Sequence, residues 1–380
     1  MLRDAAMAAL LLALCACVST PGARAPAAEA EPDEAARGDP MLAAANVPHR
    51  VVREAFVTAA TPADNIDSPA AWMAPSGDVW LLATAKEGKG LVVYDGQTGA
   101  TLREVGTPGS MPGQFLRANG VFVHGDLAFV VERDNRRVQV LALPSFETRA
   151  VFGSDHLRQP YGLWLRERAP GDIELLVTDA YMAGEDADGD EIPPPLAQLD
   201  RRVHRFDVRV DGARVSATHA GTFGDTTAAG AIRVPESLWG DPRHDRLLIS
   251  EEDIPTGTAL REYDLQGRFR GRTVGLGLFK AQAEGIALWA CADGSGVWIA
   301  TDQFKDRTLF HLFDRVTLAH LGAFAGEAVG NTDGIWLQQR GSARFPAGAF
   351  YAVHDDQAVG AFDWRDIARA TGVRATCDAR

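Results

Sequence analysis

The chain has 380 residues, 46% of them hydrophobic, with 38 Gly and 20 Pro, which is enough apolar mass for a large core and enough turn formers for many short strands. Thirty-eight basic against 51 acidic residues leave a formal charge of −13. That balance excludes a surface that tracks nucleic-acid phosphates and suits either cation binding or plain solubility.

Arg3 precedes the apolar run AAMAALLLALCAC, which is too short to span a bilayer and has the form of a secretory leader. Leu14, Cys15, Ala16 and Cys17 resemble a bacterial lipobox with Cys17 as the acylated residue; an ordinary signal peptide cut near Ala23 to Ala28 is the alternative. Residues 18–48, rich in Ala, Pro and Glu, read as a flexible tether. The expected product is exported, either an outer-membrane lipoprotein or a periplasmic or secreted protein, and touches membrane only through a lipid on Cys17. Beyond the leader, Cys291 and Cys377 are either a disulfide between the fifth repeat and the C-terminal tail or two free thiols.

From His49 onward one phrase recurs six times: DSPAAWM from Asp67, NGVFV from Asn119, YGLWL from Tyr161, ESLWG from Glu236, EGIALW from Glu284 and DGIWL from Asp333. Each opens on a polar residue, continues with a small one and enters an apolar run. A turn and two further apolar runs follow. Repetition of a multi-stranded unit at roughly 40–70 residues predicts an all-β, six-bladed β-propeller over residues 49–375. His49 to Thr61 is expected to supply a strand to the last blade and so close the ring. Repeat three carries an insertion, Ala183 to Pro195; its Asp186, Asp188 and Asp190 lack the glutamate that a calcium loop requires, so it reads as a solvated loop. FDWRDIARATG predicts a short helix or turn before the tail.

Residues at the same phase of each blade share a height on the ring. Asp67, Asn119, Tyr161, Glu236, Glu284 and Asp333 are therefore expected to form a circle at one mouth of the channel. A wider arc of residues closes the second strands: Lys86, Arg133 to Arg136, Asp179, Glu251 with Glu252, Asp302 and Asp355. Carboxylates crowded in this way demand counter-ions, and oxygen ligands favour Ca²⁺ over Mg²⁺. The competing reading is that carboxylates at blade starts only cap amides and turns. There is no G-x-S-x-G, P-loop or H-E-x-x-H, the signatures of other common hydrolytic and nucleotide sites.

The run VPESLWGDPRHDRLLISEED, then AEGIALWACADGSGVWIATDQ, NTDGIWLQQRGSARFPAGAFYAVHDD and FDWRDIA, resembles the β-propeller phytases, and PYGLWL and DSPAAW match earlier landmarks of that family. The resemblance implies a monomeric, calcium-dependent phosphomonoesterase acting on phytate or a related phosphorylated small molecule. It implies calcium ligation by Asp67, Tyr161, Glu236, Glu252, Glu284, Asp333 and Asp355, with Glu236, Glu252 and Glu284 catalytic and Lys86 and Arg136 contacting phosphate. Ser68, Gln282 and Ala180 stand where the family carries an acid, an acid and a lysine, and the first two of these replacements remove charge from a metal site. Two other readings remain. One is a non-catalytic propeller lipoprotein that binds a partner or glycan. The other is a hydrolase of the gluconolactonase type built on Glu284, Asn119 and Asp333.

Overall fold

A computed structural model describes residues 41–187 and 191–377. The expected leader, Cys17 and the tether up to residue 40 lie outside the described residues, as do Asp188 and Asp190. Within the expected tether, Leu42–Ala44 form a 3-10 turn. Leu42 packs with Ala281, Phe304 and Leu309, and its amide donates to Asp306 Oδ1 at 2.8 Å, so contacts with the propeller begin before His49.

Six antiparallel sheets of the expected kind follow one another. Their innermost strands are Ile66–Met73, Ala118–His124, Pro160–Ala169, Pro235–Asp241, Ala283–Ala290 and Ile335–Gln338, which open blades one to six. The N-terminal segment stitches the last two blades. Arg50–Val51 lies parallel to His320–Ala325 as a fifth strand of blade five, and Phe56–Val57 pairs antiparallel with Ala358–Asp363 as the fourth strand of blade six. Both otherwise open edges are covered by this segment. Trp364–Thr371 is the expected short helix; Trp364 stacks on Trp289 of blade five with ring centroids 5.2 Å apart. A disulfide joins Cys291 to Cys377 and holds the tail to the same blade.

The inner strands share a local irregularity that decides where the site lies. In blade one Ile66 pairs with Ala85, but Pro69 pairs with Ala83, so one extra residue is accommodated at Asp67 and Ser68. The same slip occurs at Asn119 and Gly120, Tyr161 and Gly162, Glu236 and Ser237, and Glu284 and Gly285. Such a bulge bends a strand and re-aims its side chains. Five of the six phrase openers sit in one.

The small residue after each opener has a steric cause. A Cβ at Gly120 would lie 2.7 Å from Tyr161 O, at Gly162 2.6 Å from Glu236 O, at Gly285 2.8 Å from Asp333 O and at Gly334 2.7 Å from Asp67 O. In each case the obstacle is the backbone of the next blade's opener. Gly285 N donates to Asp333 O and Gly334 N to Asp67 O, both at 3.0 Å, and the second bond links blade six to blade one. Deeper in the channel Phe122, Trp239 and Trp336, from alternate blades, meet with centroids 5.0–5.7 Å apart. They cross the axis and turn the mouth into a closed cup.

Gly334→Ala forces a methyl group against the Asp67 carbonyl and the Ser68 Cα, where overpacking costs about 1–3 kcal/mol. The expected outcome is a melting temperature several degrees lower, measured by calorimetry. An unchanged melting temperature would show that the close approach at ring closure is not a constraint.

Candidate functional site at the channel mouth

Because each inner strand begins opposite the end of the second strand, phrase openers and second-strand ends share one mouth. The backbone of the circle is held from two directions. Thr84, opposite the bulge in blade one, accepts from Ser68 N at 2.9 Å and donates to Asn119 O in blade two. Thr178 in blade three accepts from Gly162 N at 2.7 Å and donates to Glu236 O in blade four at 2.9 Å. Ser250 in blade four donates to Glu284 O in blade five. In blades one and three, a hydroxyl at this position both caps its own bulge and grips the neighbouring opener.

Residues one step further on, at the very ends of the second strands, are fully buried and structural. Asp179 accepts the Arg158 and Gln159 amides at 3.0 and 2.7 Å, Glu251 the Arg233 and Val234 amides at 2.7 and 3.0 Å, and Asp302 the Lys280 and Ala281 amides. Each carboxylate ties down the loop that leads into its own blade's opener. Burial pushes the Glu251 carboxyl up to about 7 against the pull of those amides. Asp179 and Asp302 are backed by His204 and His311 at 3.2 and 3.4 Å, and these histidines bond to His219 and His320 on the outer strands. The arc that sequence placed at the mouth thus divides. Asp179, Glu251 and Asp302 are capping groups, whereas Glu252, one residue beyond the strand, turns to the opposite side.

Two clusters occupy the mouth. In the first, Glu236, Glu252 and Glu284 are all buried and offer carboxylate oxygens within 4.8 Å of one another. They come from the inner strand of blade four, the end of its second strand and the inner strand of blade five. Gln282 Nε2 donates to Glu252 Oε1 at 2.8 Å. In the second, the Lys86 ammonium lies 3.1 Å from Asp67 Oδ2, 3.4 Å from Asp333 Oδ2 and 3.5 Å from the Tyr161 hydroxyl. Tyr161 donates to Asp67 Oδ2 at 3.2 Å, Ser68 to Asp67 Oδ1 at 2.6 Å and Gln303 to Asp333 Oδ1. Asn119, the opener between Asp67 and Tyr161, is fully buried, and among the described residues neither of its side-chain polar atoms meets a hydrogen-bonding group.

Six of the seven expected metal residues are therefore at the mouth, distributed over both clusters. The seventh, Asp355, is exposed in a tight turn at φ 51° and accepts from Gln357. Lys86 is drawn into ion pairs. Arg136 is exposed in the turn after blade two's second strand at φ 52°. Arg133, three residues earlier, instead lines a small pocket with Gln159, Tyr161, Ala180, Glu191, Glu236 and Glu252. Glu191 belongs to the insertion of repeat three, where Gly184–Glu185 and Glu191–Ile192 make a short hairpin; the expected solvated loop brings a carboxylate to the pocket. A wider cleft of about 600 Å³ beside the C-terminal helix, lined by His49, Arg50, Leu321 and Arg369, has no carboxylate among its described lining residues.

No protein-family model matches the chain, and no curated protein matches it significantly. Among solved structures it is similar to the β-propeller domain of Myceliophteria thermophila Cps50 (Swd1), at 10% identity and TM-score 0.47, covering 82% of this chain and 99% of that one. It is also similar to Kuenenia stuttgartiensis hydrazine synthase, at 11% identity and TM-score 0.46 over 77% and 75% of the two chains. A chain of a mitotic checkpoint complex gives 14% identity and TM-score 0.46 over 90% and 82%. These likenesses carry no functional argument.

Thr178→Val keeps the side chain's shape but strips the bulge amide and the Glu236 carbonyl of their shared partner, a loss of about 1–3 kcal/mol. Its melting temperature is expected to fall by several degrees, while Thr178→Ser, which keeps the hydroxyl that bridges Gly162 N and Glu236 O, costs less. Equal losses would contradict the special role of Thr178. Burial, and then His311, depress His320 from 6.5 to about 4. A lowered folded value means that the unfolded chain takes up the proton first. Stability contributed by neutral His320 is complete above about 6.5 and is lost as the pH falls through about 4. Unfolding curves at pH 7 and 5 should show this loss in the wild type and a smaller one in His320→Leu; identical slopes would refute the assignment.

Proposed function

We propose that the mouth is a calcium-dependent phosphomonoesterase centre that acts on phytate or a related phosphorylated small molecule. The observation that carries the reading is the convergence of Glu236, Glu252 and Glu284 from adjacent blades within 4.8 Å. Three buried carboxylates this close repel one another, and a divalent cation relieves the repulsion. The donors are all oxygen, hard and held on strands of two blades, a set that fits Ca²⁺ better than a softer or smaller ion. Asn119, buried in the same circle with no side-chain hydrogen-bonding partner among the described residues, supports reading the mouth as a place built around a ligand.

Glu236, Glu252 and Glu284 would hold the calcium, which would supply Lewis acidity to the phosphoryl oxygens. The chain's own groups do the rest. Gln282 fixes the rotation of Glu252. Arg133, on the wall shared with Glu236 and Glu252 and with its Nε donating to Asp134 Oδ1 at 2.9 Å, carries the permanent positive charge that would face an anionic ester there. Arg133 therefore takes the phosphate-contacting role that sequence assigned to Arg136. The three glutamates would hold the cation close to the scissile bond, above the Phe122, Trp239 and Trp336 cluster that fills the channel below.

One observation favours a purely binding role. Lys86 is committed to Asp67 and Asp333, and Ala180 offers no cation in the pocket that Arg133 lines, so fewer charges are left to receive a polyphosphate. The two readings separate in one assay. Purified protein is expected to release inorganic phosphate from phytate in Ca²⁺, to stop with chelator, and to lose at least about 100-fold in rate in Glu236→Ala. Calcium that raises the melting temperature with no phosphate release would leave a binding propeller instead.

A further inference from the structure

We infer that the cleft between the outer strand of blade five and the C-terminal helix binds a small anionic amphiphile, an acyl chain with a carboxylate head, at a site separate from the mouth. The inference does not depend on the chemistry proposed there.

The outer strand of blade five, His320–Ala325, reaches the mouth at its end, where Ala325 pairs with Leu309 and Leu309 with Asp302. Leu321 therefore lies toward the opposite face. His320 pairs with Phe313 and Gly322 with Leu312, so Leu321 is an extra residue in the strand, and a bulge of this kind re-aims a side chain. It is 45% exposed. Together with Thr371 and Gly372 at the end of the helix it forms the wall shared by two adjoining hollows of about 600 and 350 Å³, both within the range of about 300–1,000 Å³ usual for small-molecule sites. The smaller is lined by Trp289, Val297 and Val373, and the larger by Arg50 and Arg369. One end is thus apolar and the other cationic. The walls are fixed before any ligand arrives: Trp364 stacks on Trp289, the Cys291–Cys377 disulfide holds the tail, and Arg50–Val51 is paired to the same outer strand. A preformed site costs little ordering entropy on binding.

Arginine outnumbers carboxylate along this cleft, against the balance of a chain whose formal charge is −13. The carboxylate among the described lining residues, Asp314, accepts the Val316 and Thr317 amides at 3.1 and 2.7 Å, so its own turn takes it up. Arg374 donates to Asp293 Oδ2 at 3.0 Å. Arg369 pairs with Asp366 at 2.8 Å on the surface, where such pairs are weak and readily exchanged. Arg50 is exposed and makes no ion pair among the described residues. Guanidinium groups offer paired N–H donors that match a carboxylate, while Leu321, Val297 and Trp289 give an acyl chain apolar surface to cover. A neutral chain forgoes the first contact, and a cationic one is repelled.

The test titrates the full-length protein with decanoate below its micellar concentration, in calcium-free buffer, by isothermal calorimetry. Decan-1-ol and decyltrimethylammonium serve as the neutral and cationic counterparts, and phosphatidylglycerol vesicles report on a membrane surface. Saturable binding of a single decanoate is expected, weakened about tenfold or more by Arg50→Gln with Arg369→Gln and abolished by Leu321→Asp, with decan-1-ol weaker and decyltrimethylammonium inert. All three substituted residues are at the surface, so an unchanged melting temperature is expected to accompany each loss. Absence of saturable decanoate binding, equal affinity in the double arginine variant, or equal binding of decyltrimethylammonium overturns the inference. Vesicle binding without decanoate binding overturns it in favour of a lipid surface.

Discussion

Everything at the mouth depends on how closely six inner strands can approach one axis. The backbone of each opener lies against the residue after the preceding opener, at Cβ-forbidding distance in four places. Five openers are lifted out of register by a bulge. Close approach brings the openers together, and the bulges aim them. A ring of hydroxyls and amides, among them Thr84, Thr178, Ser250, Gly285 and Gly334, then holds the opener carbonyls in place.

Such convergence creates an electrostatic problem, because five of the residues brought to the mouth are carboxylates. Asp67 and Asp333 are answered within the chain by Lys86. Glu236, Glu252 and Glu284 are clustered more tightly, and Gln282 donates to Glu252. This clustering is what makes the proposed calcium chemistry local to blades four and five. It also separates the mouth from the rest of an acidic protein, where many carboxylates are matched by arginine, as with the buried pair of Asp241 and Arg315 at 2.7 Å.

Much of this was legible in the residues. The repeated phrase gives the six blades, the closing N-terminal strand and the phase of Asp67, Tyr161, Glu236, Glu284 and Asp333, since phase on a ring translates directly into height. Glu252 followed from the same logic. What failed to follow was side-chain direction at strand ends. Glu251 and Glu252 are adjacent and face opposite ways, Arg133 reaches the pocket while Arg136 sits outside in a turn of positive φ, and Asp355 is turned to solvent by its own. A one-residue difference in a tight turn reverses a side chain, and composition does not report it. The gripping hydroxyls were present as a signal, in LLATA, LLVTDA and LLISEED, and become visible once those runs are aligned on the turn that ends each strand. That Lys86 would seat itself among the acids required three blades to be placed in space at once.

The most direct test is a crystal structure of the protein soaked with calcium and a non-hydrolysable phosphate ester. Calcium is expected on Glu236, Glu252 and Glu284, with an ester phosphate between that ion and Arg133. No ion at the glutamates would contradict the proposed calcium centre.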